Sequence, residues 1–236
     1  MGLSCSLCQS QVDPELEKIL NTVSEKSPDI INNCVIKKQK IDDEFNELLE
    51  ERKKKVEESK DKSESELEEL LKEYNKKEVE KEKELIANEV DKMHSLWELG
   101  LELSNPLKNY IITKLTKKLN EAPSFAKSTI DKQINEVKAF SPKEFLNSTY
   151  GKPLKDALIK QGMSASVLKT FKEELLENRK NRRKEERNQF SFVKKNEFPP
   201  EDEFEINVDD LYEAIFDEYK EDFQTSIKKK FFNMNI

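Results

Sequence analysis

Residues 67–93 read LEELLKEYNKKEVEKEKELIANEVDKM, and their spacing sets the fold class. Leu67, Leu70, Leu71 and Tyr74 fall at helical intervals, and Val79, Ile86 and Met93 follow seven apart, with Leu85, Val90, Leu96 and Trp97 beside them. A seven-residue apolar period predicts a helix that supercoils against a partner helix. The stretch lies in a run, residues 29–98, that holds neither Gly nor Pro. Unbroken helix over such a run would reach about 105 Å at a rise of 1.5 Å per residue. Glu78 and Lys81 interrupt the apolar register, so the spacing predicts a coiled-coil segment without specifying its oligomer; a homodimer is one arrangement it allows.

The rest of the run is more polar. Ile31, Val35, Ile41, Phe45, Leu48 and Leu49 make a broken stripe, and from Glu50 to Glu66 only Val56 is apolar. Lys54 with Glu58, Glu58 with Lys62 and Lys62 with Glu66 stand at i, i+4, a spacing that supports helix in water without burial. The expectation is a charged strut.

Before the strut, Asp13-Pro14-Glu15-Leu16 opens a short amphipathic helix over residues 13–26 with an N-cap, a first-turn proline and a first-turn acid. Ser27-Pro28-Asp29 repeats that start signal, and Gly100 and Asn105-Pro106 are expected to end the long charged helix of residues 27–104. Residues 105–193 then alternate apolar helical sets with Pro123, a Ser141-Pro142-Lys143-Glu144 capping box, Gly151, Pro153 and Gly162, the pattern of a small bundle with short connections. An acidic, proline-bearing linker occupies residues 194–207, and residues 208–236 form a last amphipathic helix whose stripe includes Leu211, Ile215, Tyr219 and Phe223. The chain is therefore expected to be all-α: a long charged helix with a coiled-coil segment, followed by a small helical bundle.

Composition agrees, with 39% charged against 35% hydrophobic residues and only 4 Gly and 8 Pro in 236. The net charge of −7 is segmented: residues 1–104 hold 17 basic and 27 acidic side chains, residues 105–189 hold 19 and 10, and residues 190–236 hold 6 and 12. The basic middle ends in Arg179, Lys180, Arg182, Arg183, Lys184 and Arg187. That run suits anionic headgroups or an acidic partner; equally, it can face the acidic segments of its own chain. Nucleic acid, with Phe190 and Phe192 as stacking groups, is a weaker reading.

Catalytic patterns are not present. Four isolated glycines cannot build a phosphate-binding loop, His94 has no triad pattern around it, and no Cys/His spacing fits zinc. No cofactor or metal is expected, and no enzyme. Cys34 stands alone as an inert thiol.

The N-terminus carries the functional signal. Met1-Gly2-Leu3-Ser4-Cys5-Ser6-Leu7-Cys8 fits M-G-x-x-x-[ST], which makes Gly2 an N-myristoylation site and the nearby Cys5 and Cys8 S-palmitoylation sites. No apolar run reaches the 18 or more residues of a membrane span, and no secretory signal is present. With these eight residues, a charged strut and a helical C-terminal part, the chain resembles the dually acylated peripheral proteins of protozoa, and is similar in layout to apicomplexan inner-membrane-complex and glideosome-associated proteins. It departs from some of them in having no cysteine after Cys34. The resemblance implies residence on the cytosolic face of the plasma membrane or inner membrane complex. The expected function is a lipid-anchored scaffold or adaptor that tethers a cytoskeletal or membrane protein through Leu67, Leu71, Val79, Ile86 and Met93. The alternative is a regulatory subunit that docks its C-terminal aromatic helix on a partner.

Overall fold

The computed structural model describes residues 13–189. Over that span the chain is all-α, with helices α1 (Pro14–Glu58), α2 (Glu64–Glu121), α3 (Ser124–Ala139), α4 (Pro142–Asn147), α5 (Lys152–Lys160) and α6 (Ala165–Gln189), and no strand among the described residues. The chain divides into two compact units. One takes the chain up to Pro28 together with Glu98–Gln161; the other takes Asp29–Trp97 and the chain from Gly162 onward.

The expected strut is not one helix. It is broken at residues 59–63, where Ser63 caps α2: its backbone N–H donates to Glu66 Oε2 at 3.0 Å, and its Oγ accepts from the Glu66 N–H at 3.4 Å. This reciprocal box ends the helical run as firmly as a glycine would. Nor is the segment around it fully solvated, since Val56 is wholly buried and packs with Leu67 and Leu71 where α1 turns back into α2.

The expected boundaries at Pro28 and Pro106 are absent, because α1 and α2 run straight through them. A proline inside a helix removes one N–H and leaves the carbonyl four residues earlier without its bond. Here those residues, Ser24 and Glu102, are exposed, so water can take the place of the missing donor. Gly100 likewise does not end α2. It lies against Leu146 of α4 and Leu158 of α5, whose methyls come within 3.3 and 2.5 Å of where a Cβ would stand.

The first unit packs Val23 of α1, Leu103 and Leu107 of α2, Ile134 and Val137 of α3, and Phe145, Leu146, Leu154 and Leu158 of α4 and α5 out of water. The two stretches of long helix are antiparallel, joined by Lys26–Glu102 at 3.4 Å and Asp13–Lys114 at 2.5 Å. Asp13 is the N-cap the sequence predicts, its Oδ1 accepting from the Glu15 N–H at 3.0 Å. Ser141 and Glu144 form the expected capping box of α4. At Gly151 a Cβ would stand 2.1 Å from the Phe145 carbonyl oxygen and 2.7 Å from Leu146 Cα. Backbone cannot yield as a leucine methyl can. Gly151→Ala is therefore expected to cost about 3 kcal/mol or more, whereas Gly100→Ala stays within about 1 kcal/mol because helix propensity offsets the shift of two leucines. Thermal unfolding of the two variants checks the contrast.

The second unit is a three-helix bundle. Tyr74 donates to Glu51 at 2.7 Å, Lys81 to Glu44 at 2.6 Å, and Asn88 Nδ2 to the Cys34 carbonyl at 3.0 Å, which sets α2 antiparallel to α1. α6 completes the bundle through the ion pairs described next.

Candidate functional site

α6 begins with an apolar stripe and then changes chemistry without changing face. Leu168 and Leu175 are buried, and the same side of the helix continues with Arg179, Arg182, Arg183 and Glu186 at i, i+3, i+4 and i+7. α2 does the same: Leu71 and Tyr74 are followed by Glu78 and Glu82 before Leu85 and Ile86 resume the stripe. Arg52 enters from α1, and the acidic gap meets the basic one inside the bundle.

The contacts are extensive. Arg52 binds Glu186 through two nitrogens, Nε to Oε1 at 2.7 Å and Nη2 to Oε2 at 3.1 Å, and donates to Asn75 Oδ1 at 2.5 Å. Arg182 donates from Nε to Glu78 at 3.0 Å and from Nη2 to Glu82 at 2.9 Å, with its guanidinium 5.0 Å from the centre of the Phe45 ring. Arg183 bridges Glu78 and Glu186, and Arg179 pairs with Glu82. Glu82 is completely buried, and Glu78 and Arg52 nearly so.

Charges this dry shift one another. Burial, the largest single influence on Glu78, pushes its carboxyl up, but Arg183, Arg182 and Arg52 together hold it below the ordinary carboxylate range. Glu82 goes the other way: burial outweighs Arg179 and Arg182, and its carboxyl is raised. Burial also lowers Arg183 from its ordinary value, against the pull of Glu78. A buried network of this kind contributes little net stability over apolar packing, yet it penalises every misaligned pairing of the three helices, because each shift in register strands a charge.

The network revises the reading of the basic run. Arg179, Arg182 and Arg183 are committed to carboxylates of their own chain and do not present guanidinium groups to headgroups or an acidic partner. The reason is desolvation: three carboxylates placed among four arginines make burial of that face affordable. Lys180 and Lys184 remain exposed. The Arg187 side chain lies outside the described residues.

The expected partner seam is also occupied from within. Leu67 and Leu71 are buried, Ile86 and Met93 have no exposed surface, and Val79 is half-buried. The apolar positions flanking the heptad series, Leu85, Val90, Leu96 and Trp97, are buried too, so the helix is covered on more than one side rather than along a two-helix seam. Cys34 is buried with its thiol pushed up by desolvation, and its Sγ accepts from Asn88 Nδ2 at 3.2 Å. His94 is buried. Gly2, Cys5 and Cys8, and Leu211, Ile215, Tyr219 and Phe223 with the linker before them, lie outside the described residues.

The sequence left open that the basic run faces acidic segments of its own chain but did not single out Glu78, Glu82 and Arg52; two charged gaps of opposite sign in otherwise apolar helical stripes were the available signal. Beside it, a groove of about 500 Å³ between α1 and α6 is lined by Phe45, Leu49, Leu85, Phe171, Leu175 and Arg182. Comparison with protein-family models, curated proteins and solved structures finds no match to this chain, so its functional reading rests on its own residues.

Proposed function

We propose that this chain is a lipid-anchored helical scaffold or adaptor that holds a protein partner at the cytosolic face of a membrane. The observation that carries the reading is the N-terminal sequence Met1-Gly2-Leu3-Ser4-Cys5-Ser6-Leu7-Cys8, which offers one amide and two thiols for acylation within eight residues. Among the described residues no helix is long and apolar enough to cross a membrane. In this reading, attachment comes from hydrocarbon at the N-terminus. A myristoyl chain alone binds bilayers with K of about 10⁴ M⁻¹, and each buried CH₂ of a palmitate adds about 0.8 kcal/mol, so a second chain converts transient binding into residence. A register-locked bundle suits a scaffold because it presents its surface in one fixed arrangement.

The test is fractionation of the full chain expressed with its acyltransferases. Gly2→Ala is expected to move the protein from the membrane pellet to the supernatant, and Cys5→Ser with Cys8→Ser to leave it myristoylated but only loosely held. A Gly2→Ala protein that still pellets with membranes overturns the reading.

A further inference from the structure

Arg179, Arg182 and Arg183 of α6 are turned inward, but the first unit keeps lysines on its surface, and one corner carries several of them together with an uncovered aromatic ring. α2 and α3 form an antiparallel hairpin, closed at its far end by Lys108 Nζ donating to the Phe140 carbonyl and turning at Ala122-Pro123. At the tip, Phe125 is 85% exposed, the most exposed large hydrophobic side chain among the described residues. Lys117 and Lys118 of the last turns of α2 and Lys127 of the first turn of α3 are exposed at the same end of the hairpin; among the described residues no carboxylate pairs with any of the three, and the nearest acids in sequence, Glu121 and Asp131, are exposed as well. Pro123 gives α3 no side-chain cap, and its first turn carries no acid. The tip therefore also offers the positive end of a helix, whose free N–H groups favour phosphate.

The position of this corner says what covers it. Asp13, where the described chain begins, is paired with Lys114, one helical turn before Lys117 and Lys118. Because α1 runs antiparallel to α2, its N-terminal end faces the tip, about 10 Å along α2 from Glu121 at 1.5 Å per residue. The 12 residues before Asp13 can span up to about 40 Å. A bilayer that takes acyl chains on Gly2, Cys5 or Cys8 therefore lies within about 40 Å of this end of α1, the end that holds the hairpin tip.

We propose that the α2–α3 tip is a second membrane contact, specific for anionic phospholipid, in which Lys117, Lys118, Lys127 and the open N-terminus of α3 meet headgroup phosphates while Phe125 enters the acyl boundary. The inference rests on the lipid-anchor reading for its geometry. It gives the scaffold a fixed orientation: attachment at a single point lets the unit tumble, whereas an anchor and a side-chain contact on the same corner fix which face points into the cytosol. Each basic side chain near an anionic surface is worth about fivefold in partitioning, and one exposed ring adds a comparable factor through its buried area.

Sedimentation of the full chain with phosphatidylcholine vesicles, with and without phosphatidylserine, tests the proposal. Myristoylated wild type is expected to bind the phosphatidylserine vesicles at least tenfold more tightly than phosphatidylcholine alone. The double variant Lys117→Glu, Lys118→Glu should lose that preference while keeping its phosphatidylcholine binding. Phe125→Ser should weaken binding about threefold to tenfold on anionic vesicles. All the substituted side chains are exposed, and an unchanged melting curve verifies the fold of each variant. If the tip variants bind anionic vesicles as wild type does, the corner serves some other partner, such as an acidic protein, and the proposal fails while the anchor reading stands. If Gly2→Ala binds as tightly as the acylated protein, the anchor reading fails instead.

Discussion

Glu78→Leu is expected to lower the unfolding free energy by about 3–5 kcal/mol, a large share of the stability of any domain. Glu78 is 1% exposed and is the acceptor shared by Arg52, Arg182 and Arg183. Arg52 and Arg183 keep Glu186, and Arg182 keeps Glu82, but each would lose part of its compensation in a site from which water is excluded. Leaving a buried cation short of a counter-charge costs far more than the intact pair contributes. Urea unfolding measures the loss, and a cost below about 1 kcal/mol would mean that water reaches the site and that the network is a surface feature. The double variant Glu78→Leu, Arg183→Leu should recover part of the loss, because it removes one of the stranded charges along with the carboxylate.

The same network sets an acid dependence with two opposed parts. Glu78 has its carboxyl held low in the folded chain, so its contribution is present above the ordinary carboxylate value and is lost as pH falls through the folded value. Glu82 has its carboxyl raised, so its contribution is complete below the ordinary value and is lost as pH rises through the folded one. Around the ordinary carboxylate range the two slopes partly cancel. Removing either acid exposes the slope of the other.

What could be read from the sequence was what is written locally. Asp13 before Pro14, and Ser141 ahead of Glu144, place backbone acceptors and donors within four residues of each other, and both helix starts stand where expected. Pro28, Gly100 and Pro106 are equally local signals, yet the helices run through them, because exposure of Ser24 and Glu102 lets water meet the freed carbonyls and because Gly100 stands inside the helix where Leu146 and Leu158 pack closely against it. The turn at residues 59–63 was hidden for the opposite reason: it contains no Gly or Pro, and its only mark is Ser63 standing three before Glu66 in a run of similar charged residues. The ionic network was illegible as a unit because its partners are up to 134 residues apart, as in Arg52 and Glu186. Only the pairing of helices shows that the gap at Glu78 and Glu82 and the run from Arg179 onward are two halves of one feature.

Met93→Asp separates a seam made for another chain from a core made for this one. Were Met93 part of an exposed heptad face, a carboxylate there would dissociate an assembly and leave each chain folded. Met93 instead has no exposed surface and sits in a series with Ile86 and Val90 that is equally closed to water. A carboxylate at such a site must either ionise without a partner or take up a proton, and in both cases the methionine's apolar packing is gone. The expected cost is about 4 kcal/mol or more, enough to unfold the bundle of α1, α2 and α6. The measurement is far-UV circular dichroism together with sedimentation velocity: helical signal should fall, and the sedimenting species should expand or aggregate rather than drop to a compact particle of smaller mass. Val79→Asp is the control, because Val79 is half-buried and a carboxylate there keeps contact with water. A Met93→Asp protein that keeps its full helical signal while its mass falls by half would return this stretch to the role of an intermolecular seam. A Met93→Asp protein that unfolds while Val79→Asp does not would leave the protein's partner to be sought on its outer surfaces, beginning with the groove between Phe45 and Phe171.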